Sequence, residues 1–297
     1  MSIQKFTIVI TTRNRISQLR ETLKSLNQFK GLRIIICDDG SMDNTSEFIL
    51  NNYPNVQFIS NSQSKGLIYS RNRLMDMVET DYAISLDDDS QFLSTPDFDK
   101  IHSYFSRNCG CAILSLRIYW GINSPQNNFN LEQPHRVKSF VGCGHIWRMS
   151  AWNQIPNYPE WFKFYGEENF AAFRLFKKGL EVHYYPDILI HHRVDIISRK
   201  KNKDYIQRTR KSLRSGWYLY FMFYPLKDIP RRMIYSIWMQ IKLKLFEGDF
   251  RAFFGLIMAI CDLIFNLPRV IKNSDRFTSQ EFNEFMRLED PKLYWSP

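Results

Sequence analysis

This 297-residue chain carries no cysteine framework, because its five cysteines, at positions 37, 109, 111, 143 and 261, are odd in number and scattered. Cys109 and Cys111 stand too close together to suggest a zinc pair, and the set reads as reduced thiols in a reducing compartment. A secretory leader is lacking at the start, where residues 1–5 run straight into an apolar stretch at 6–10. A long apolar run is also lacking. The best candidate, residues 252–261, holds ten apolar or small residues and is followed by Asp262, whereas a spanning helix needs about 20. These absences predict a soluble or peripheral protein. No internal repeat or low-complexity tract interrupts the chain.

Aromatics, by contrast, are abundant, with 24 Phe, 15 Tyr and 7 Trp. The net charge of +10 is unevenly spread. Residues 1–192 hold 20 Lys and Arg against 19 Asp and Glu, and residues 193–297 hold 20 against 11, so nearly all the excess charge lies in the last third. Two parts with different jobs are expected, with a boundary near 195–205.

The first half alternates apolar runs with amphipathic stretches. Strands are expected at 6–10, 33–37, 56–59 and 82–86, and helices at 17–29, 44–52 and 67–78. Such alternation indicates a largely parallel sheet wrapped by helices, whose ligands bind beyond the carboxyl ends of the strands. Three of those ends carry Thr11-Thr12-Arg13-Asn14-Arg15, Asp38-Asp39-Gly40-Ser41 and Asp87-Asp88-Asp89-Ser90. Structural needs alone rarely place five carboxylates on one rim. The stretch from 96 to 160 is less periodic and rich in loops. A helix is expected after Gly166-Glu167-Glu168, ending at Gly179, and extended segments at 182–185 and 188–190 lead to His191-His192.

The order of these pieces resembles family 2 glycosyltransferases of the GT-A fold. The resemblance is carried by Ile8–Arg15, Ile36–Asp43, Lys65-Gly66-Leu67 with Arg71-Asn72, Tyr82–Asp89, Gly142-Cys143-Gly144 with Arg148, and Gly166-Glu167-Glu168 with Arg174. It covers about residues 5–195. It implies an α/β fold: a GT-A-type, mostly parallel sheet flanked by helices, with a Rossmann-like nucleotide-binding half. A catalytic domain would span 1–197, its nucleotide-sugar half about 1–95 and its acceptor half about 96–197. A basic, aromatic-rich helical extension would fill 198–297.

The resemblance also implies roles. Asp89 is expected as the main ligand of Mg²⁺ or Mn²⁺, with Asp87 as its partner and His192 as a third ligand, His191 being the competitor. Carboxylates suit such hard cations, which also take substrate phosphates. Asp39 is expected to accept from the imide of a uracil or thymine base, while Asp38 shapes its loop. Thr11, Thr12, Arg13 and Gly66 would line the donor pocket, Arg71 would meet diphosphate or ribose, and Asp88 would touch the ribose or base. Glu168 is the expected general base, with Glu167 positioning the acceptor or binding an arginine. His145 and Trp147 would approach the acceptor. Many relatives place an aromatic where this chain has Arg13, so stacking on the base is lost.

The function so implied is inverting transfer of a sugar from a UDP- or dTDP-sugar to a glycan or lipid-linked acceptor. One rival is a sugar-nucleotide nucleotidyltransferase on a similar sheet, but it would carry a Gly-rich loop after the first strand, and residues 11–15 have no glycine; the other is a non-catalytic membrane- or nucleic-acid-binding protein. The cationic, aromatic C-terminal helices fit an anionic membrane surface. They fit nucleic acid less well, because no motif for it is present. Packing on the catalytic domain or on a second copy in a homodimer is the plainer alternative. A cytoplasmic protein, peripheral on the inner face of the plasma membrane, is the expected location.

Overall fold

The computed structural model describes residues 2–195 and 203–295. The expected boundary at 197/198 and most of the basic run 199–203 lie outside the described residues. The nucleotide half follows the alternation of the sequence: β1 (Phe6–Thr12), α1 (Ile16–Leu26), β2 (Arg33–Asp38), α2 (Thr45–Asn52), β3 (Gln57–Ser60), α3 (Leu67–Asp76) and β4 (Tyr82–Asp87). β1 pairs in parallel with β2 on one side and β4 on the other. Its residues are buried almost throughout, which is why Phe6-Thr7-Ile8-Val9-Ile10 is continuously apolar rather than alternating. The strand order β3-β2-β1-β4 reverses direction at the β1/β4 boundary. A crevice opens there beyond the carboxyl ends, with Thr11 paired in register with Asp87.

Beyond β4 the sheet becomes mixed. After β5 (Ser90–Phe92) and α4 (Phe98–Arg107) come β6 (Cys111–Trp120), β7 (His135–Val137), β8 (Gly144–Arg148), the short α5 (Met149–Trp152), α6 (Glu167–Lys177) and β9 (Glu181–His192). The order continues β4-β8-β6-β9-β5, with β8 antiparallel to both neighbours. The first four strands are all parallel, as expected from the sequence; beyond them β8 is antiparallel to its neighbours while β6 and β9 are again parallel. β6 is a ten-residue strand buried along nearly its whole length; a short apolar run of this kind carries no period that separates strand from helix. The two extended segments before His191 are one strand. Its pairing with β6 slips between Leu116 and Arg117, where Tyr185 and Leu189 are the successive partners. Pro186 sits in that bulge, where no ladder donor is needed.

The C-terminal helices are α7 (Tyr205–Phe223), α8 (Ile229–Gln240), α9 (Phe250–Lys272) and α10 (Ser279–Arg287), before a last strand β10 (Leu293–Trp295) parallel to β6. Their buried faces, including Trp217, Phe223, Leu256 and Phe285, join one core with Trp147, Phe162 and Phe173. One expectation is corrected here. Asp262 does not end the apolar stretch. It sits within α9, held by two 2.6 Å hydrogen bonds from Arg210 and a 3.5 Å contact with Arg214. With that charge matched, a helix of 23 residues forms, long and apolar enough by length and composition to cross a membrane.

α9 crosses α7 closely at Gly255, where an added Cβ would lie 3.0 Å from the Thr209 side chain and 3.1 Å from the Ile206 carbonyl. Gly255→Val is expected to force the two helices apart and to destabilise the fold by about 1–3 kcal/mol. Urea unfolding should report this as a lower midpoint at an unchanged slope.

Candidate active site

The acidic rim forms because β4 ends at Asp87 and the chain turns at once into β5. β5 pairs antiparallel with the end of β9, setting Ser90 opposite His192. That register carries His192 to the acidic turn. Its Nε2 lies 3.0 Å from Asp89 Oδ1 and 3.9 Å from Asp87 Oδ2. Asp87, Asp89 and His192 each offer a ligand atom within 4.8 Å of the others. Asp89 is fully buried, and its Oδ1 has no aligned hydrogen-bond donor. A buried, orphaned carboxylate oxygen beside an imidazole nitrogen and a second carboxylate is a donor set that fits a hard or borderline divalent cation. His191 faces the other way, with Nε2 2.7 Å from the Gly121 carbonyl oxygen. Strand alternation thus separates the two histidines.

Arg15, which the sequence offered only as part of a loop, neutralises this turn. It donates to Asp89 Oδ2 at 2.5 Å and lies 3.2 Å from Asp88 Oδ1. Burial works against ionisation of Asp89, but His192 and Arg15 outweigh it and hold the carboxyl below the usual carboxylate range. Asp88 departs from expectation. Its oxygens face Thr12 Oγ1 at 2.9 Å and Arg15, it is 4% exposed, and burial above all pushes its carboxyl up to about 7. It braces the turn against β1, its oxygens directed at Thr12 and Arg15. Thr12 is spent in the same contact. Thr11 keeps a buried hydroxyl with no partner, and Arg13 is exposed at the rim.

Asp39 also differs from the base-reading expectation. It is 3% exposed, and its carboxylate accepts from Asn61, Ser64 and Ser70 and from the backbone N–H groups of Lys65 and Gly66. Five donors fill a carboxylate's capacity. In this conformation Asp39 pins the 61–66 loop, and Gly66 spends its N–H on that contact. Asp38 shapes the preceding turn by accepting from Ser41 and Ser46.

Arg71 is neither a surface residue nor a free phosphate ligand. It is buried, and its guanidinium donates to Glu167 Oε1 at 2.7 Å, to Asp87 Oδ1 at 2.9 Å and to the Gly142 carbonyl at 3.3 Å. Glu167, 2% exposed, thus binds an arginine, one of the two roles expected of it, while its Oε2 has no hydrogen-bond partner. Glu168, the next residue of α6, points differently and lines the cleft with a quarter of its side chain exposed. Burial first, and then the charge of Glu167, push the Glu168 carboxyl up to about 8 against the pull of Arg71. Gly142 makes room for both groups, since a Cβ there would stand 2.4 Å from Glu168 Oε1 and 3.0 Å from the Arg71 guanidinium.

The cleft that holds Asp87, Arg71, Glu168 and His192 has a volume of about 720 Å³. Its far wall comes from the C-terminal helices, through Arg208, Leu219, Tyr220, Tyr224 and Phe285. His145 and Trp147 do not reach it: both are buried, His145 against the Val141 carbonyl and Phe140, Trp147 donating to Tyr158. Arg148 instead binds the carbonyls of Phe105, Asn108 and Cys111, tying β8 to the end of α4.

Because Arg71 satisfies a buried carboxylate, Arg71→Met is expected to cost about 3–5 kcal/mol of stability by leaving Glu167 unpaired. Arg71→Met combined with Glu167→Met should recover much of that loss, as a chemical-denaturation double-mutant cycle would show.

The Glycosyl transferase family 2 model matches residues 7–176, more than half of the chain. The pre-mycofactocin glycosyltransferase of Mycobacterium tuberculosis is 27% identical over 205 residues, which make up 63% of this chain and 42% of that protein. The chain thus spans less than half the length of this relative. Among solved structures, residues 1–349 of Staphylococcus aureus TarS in complex with UDP-GlcNAc are similar at a TM-score of 0.55 and 17% identity, covering 91% of this chain and 83% of that one. The mannosyltransferase PcManGT of Pyrobaculum calidifontis, in complex with GDP-Man and Mn²⁺, is similar at a TM-score of 0.55 and 12% identity, covering 95% and 78%. The sheet that reverses at β1/β4, the acidic turn that ends β4 and the family match over 7–176 agree, and the chain belongs to glycosyl transferase family 2.

Proposed function

We propose that this glycosyltransferase is an inverting enzyme that moves a sugar from a UDP- or dTDP-sugar to a hydroxyl of a glycan or lipid-linked acceptor, using Mg²⁺ or Mn²⁺. The observation that carries the reading is the shared cleft, lined by Asp87 and His192 and by Glu168, with the buried Asp89 behind Asp87 and His192 completing their cluster. Asp89, Asp87 and His192 would hold the cation, which, when bound, supplies Lewis-acid charge to the donor's diphosphate. TarS with UDP-GlcNAc and PcManGT with GDP-Man and Mn²⁺ support a nucleotide-sugar donor and a cation of this kind.

The chain's own residues divide the remaining work. Arg15 and Arg71 hold the carboxylates in place. The unpartnered Thr11 hydroxyl and the exposed Arg13 remain for the donor, with the Asp39-pinned loop as the floor of the base pocket. Glu168 accepts the acceptor's proton as the hydroxyl attacks the anomeric carbon. A base whose pKa sits near the working pH is suited to that transfer. The location inside the cell, at the inner face of the plasma membrane, belongs to the same proposal.

Two outcomes test it. UDP or dTDP with Mn²⁺ should raise the melting temperature, a ligand at a hundredfold excess over its Kd contributing about 2.7 kcal/mol. Asp89→Asn should abolish the metal-dependent part, and an undiminished shift would remove the metal assignment. Glu168→Gln should keep donor binding and lose transfer by about a hundredfold or more. It should also be more stable than the wild type above pH 8, because the wild-type carboxyl must then ionise in a partly buried site beside Glu167. Below the ordinary carboxyl range, where both folded and unfolded forms hold the proton, that advantage should vanish. Near-normal transfer by Glu168→Gln would show that another group is the base.

A further inference from the structure

We propose that the outer face of α8, the turn after it and α9 is a docking surface for a lipid bilayer with anionic headgroups, on which the protein lies without crossing it. The inference rests on the lipid-linked acceptor reading for its purpose, while its physical argument stands on exposure, packing and charge.

Among the large hydrophobic side chains that stand exposed, most belong to residues 226–271, including Ile234, Trp238, Phe246, Phe254, Ile264 and Phe265. Phe265 is 84% exposed and Phe254 59%. A soluble surface rarely gathers so many in one segment, with Trp238 and Phe246 in ring contact, and such a concentration marks an interaction face. α9 is apolar on both sides: Ala252, Gly255, Leu256, Ala259, Leu263 and Val270 are buried, and the opposite residues face outward. A surface helix normally turns polar residues to water, and α9 does not.

Charge identifies the occupant. Residues 226–272 hold eight Lys and Arg against four Asp and Glu. One of those four, Asp262, is already paired with Arg210 and Arg214 of α7. Lys227, Arg231, Lys242 and Lys272 are exposed on the same segment. Apolar side chains that enter the headgroup region beside cations that meet anionic lipid are the pattern of an interfacial helix. A second copy of this chain would bring like charge to like charge across a two-fold interface.

Packing decides between lying on the bilayer and crossing it. The inner face of α9 is seated on α7, with Gly255 against Thr209 and Asp262 bound by two arginines of α7. Drawing α9 into a bilayer would strip Arg210 and Arg214 of their partner. α7 also walls the cleft through Arg208, Leu219 and Tyr220. A bilayer on the outer face of α9 therefore lies behind α7, which walls the cleft.

The test is flotation of the full chain with phosphatidylcholine vesicles containing about one-third phosphatidylglycerol, alongside sedimentation without lipid. The wild type should float as a lipid-bound monomer and should do so less on neutral vesicles or in high salt. Phe254→Glu with Phe265→Glu should lower binding by about tenfold or more, since two exposed aromatics lose their apolar burial. Lys242→Glu with Lys272→Glu should lower it on anionic vesicles only. Retention of the UDP and Mn²⁺ thermal shift by both variants would show the site intact, so loss of flotation and failure of the transferase reading are told apart. Unchanged flotation of the Phe variant overturns the assignment of this face. So does a wild-type chain that sediments as a dimer and floats with no vesicle.

Discussion

The buried guanidinium of Arg71 ties the two halves of the site together. It reaches Asp87 at the end of β4, Glu167 at the start of α6 and the carbonyl of Gly142 before β8. Each of these is a different element of the fold, and each stands next to a working group. Asp87 is a member of the metal triad, Glu167 precedes Glu168, and Gly142 leaves the space into which Glu168 leans. A buried ion pair is weak evidence of stability, because desolvation offsets much of its attraction. What it provides here is register: a planar fork with fixed donor directions sets the separation of the Asp87–Asp89–His192 cluster and Glu168.

Arg15 plays the matching part on the other side of the acidic turn. Three consecutive aspartates repel one another, and a folded chain tolerates them only if their charges are divided among different environments. Asp87 faces the cleft, Asp88 turns inward to Thr12 and Arg15, and Asp89 meets Arg15 and His192. The outcome is one carboxyl pushed up by burial and another held down by its cationic neighbours. Perturbation of this kind, at a strand end in a cleft, is the electrostatic sign of a working site.

The C-terminal helices belong to the same body as the sheet. Their inner faces complete the core around Phe162, Phe173 and Trp217, and α7 supplies a wall of the cleft. Their outer faces carry the apolar and cationic excess noted in the sequence. One set of helices thus shapes a wall of the cleft and carries exposed apolar side chains on its outer face.

The sequence alone determined the nucleotide half. Short buried parallel strands are continuously apolar, and the helices between them are periodic, so β1 to β4 were legible to within a residue or two at most ends. The acidic turn and Gly166-Glu167-Glu168 were legible because a motif read with its neighbouring strand or helix is specific. Tertiary structure decided which of the charged residues face the cleft. Asp39, Asp88, Glu167 and Arg71 all sit in the right segments, yet each is held by partners between 16 and 96 residues away in the chain, and no local pattern encodes such a partner. The same holds for His192 over His191, which the β5/β9 register settles, and for β6, whose unbroken burial leaves no period to read. It holds also for α9, whose length could be seen only once Asp262 had met Arg210 and Arg214. Local chemistry fixes where a strand ends and what it carries there; only packing fixes which of those groups remain free to act.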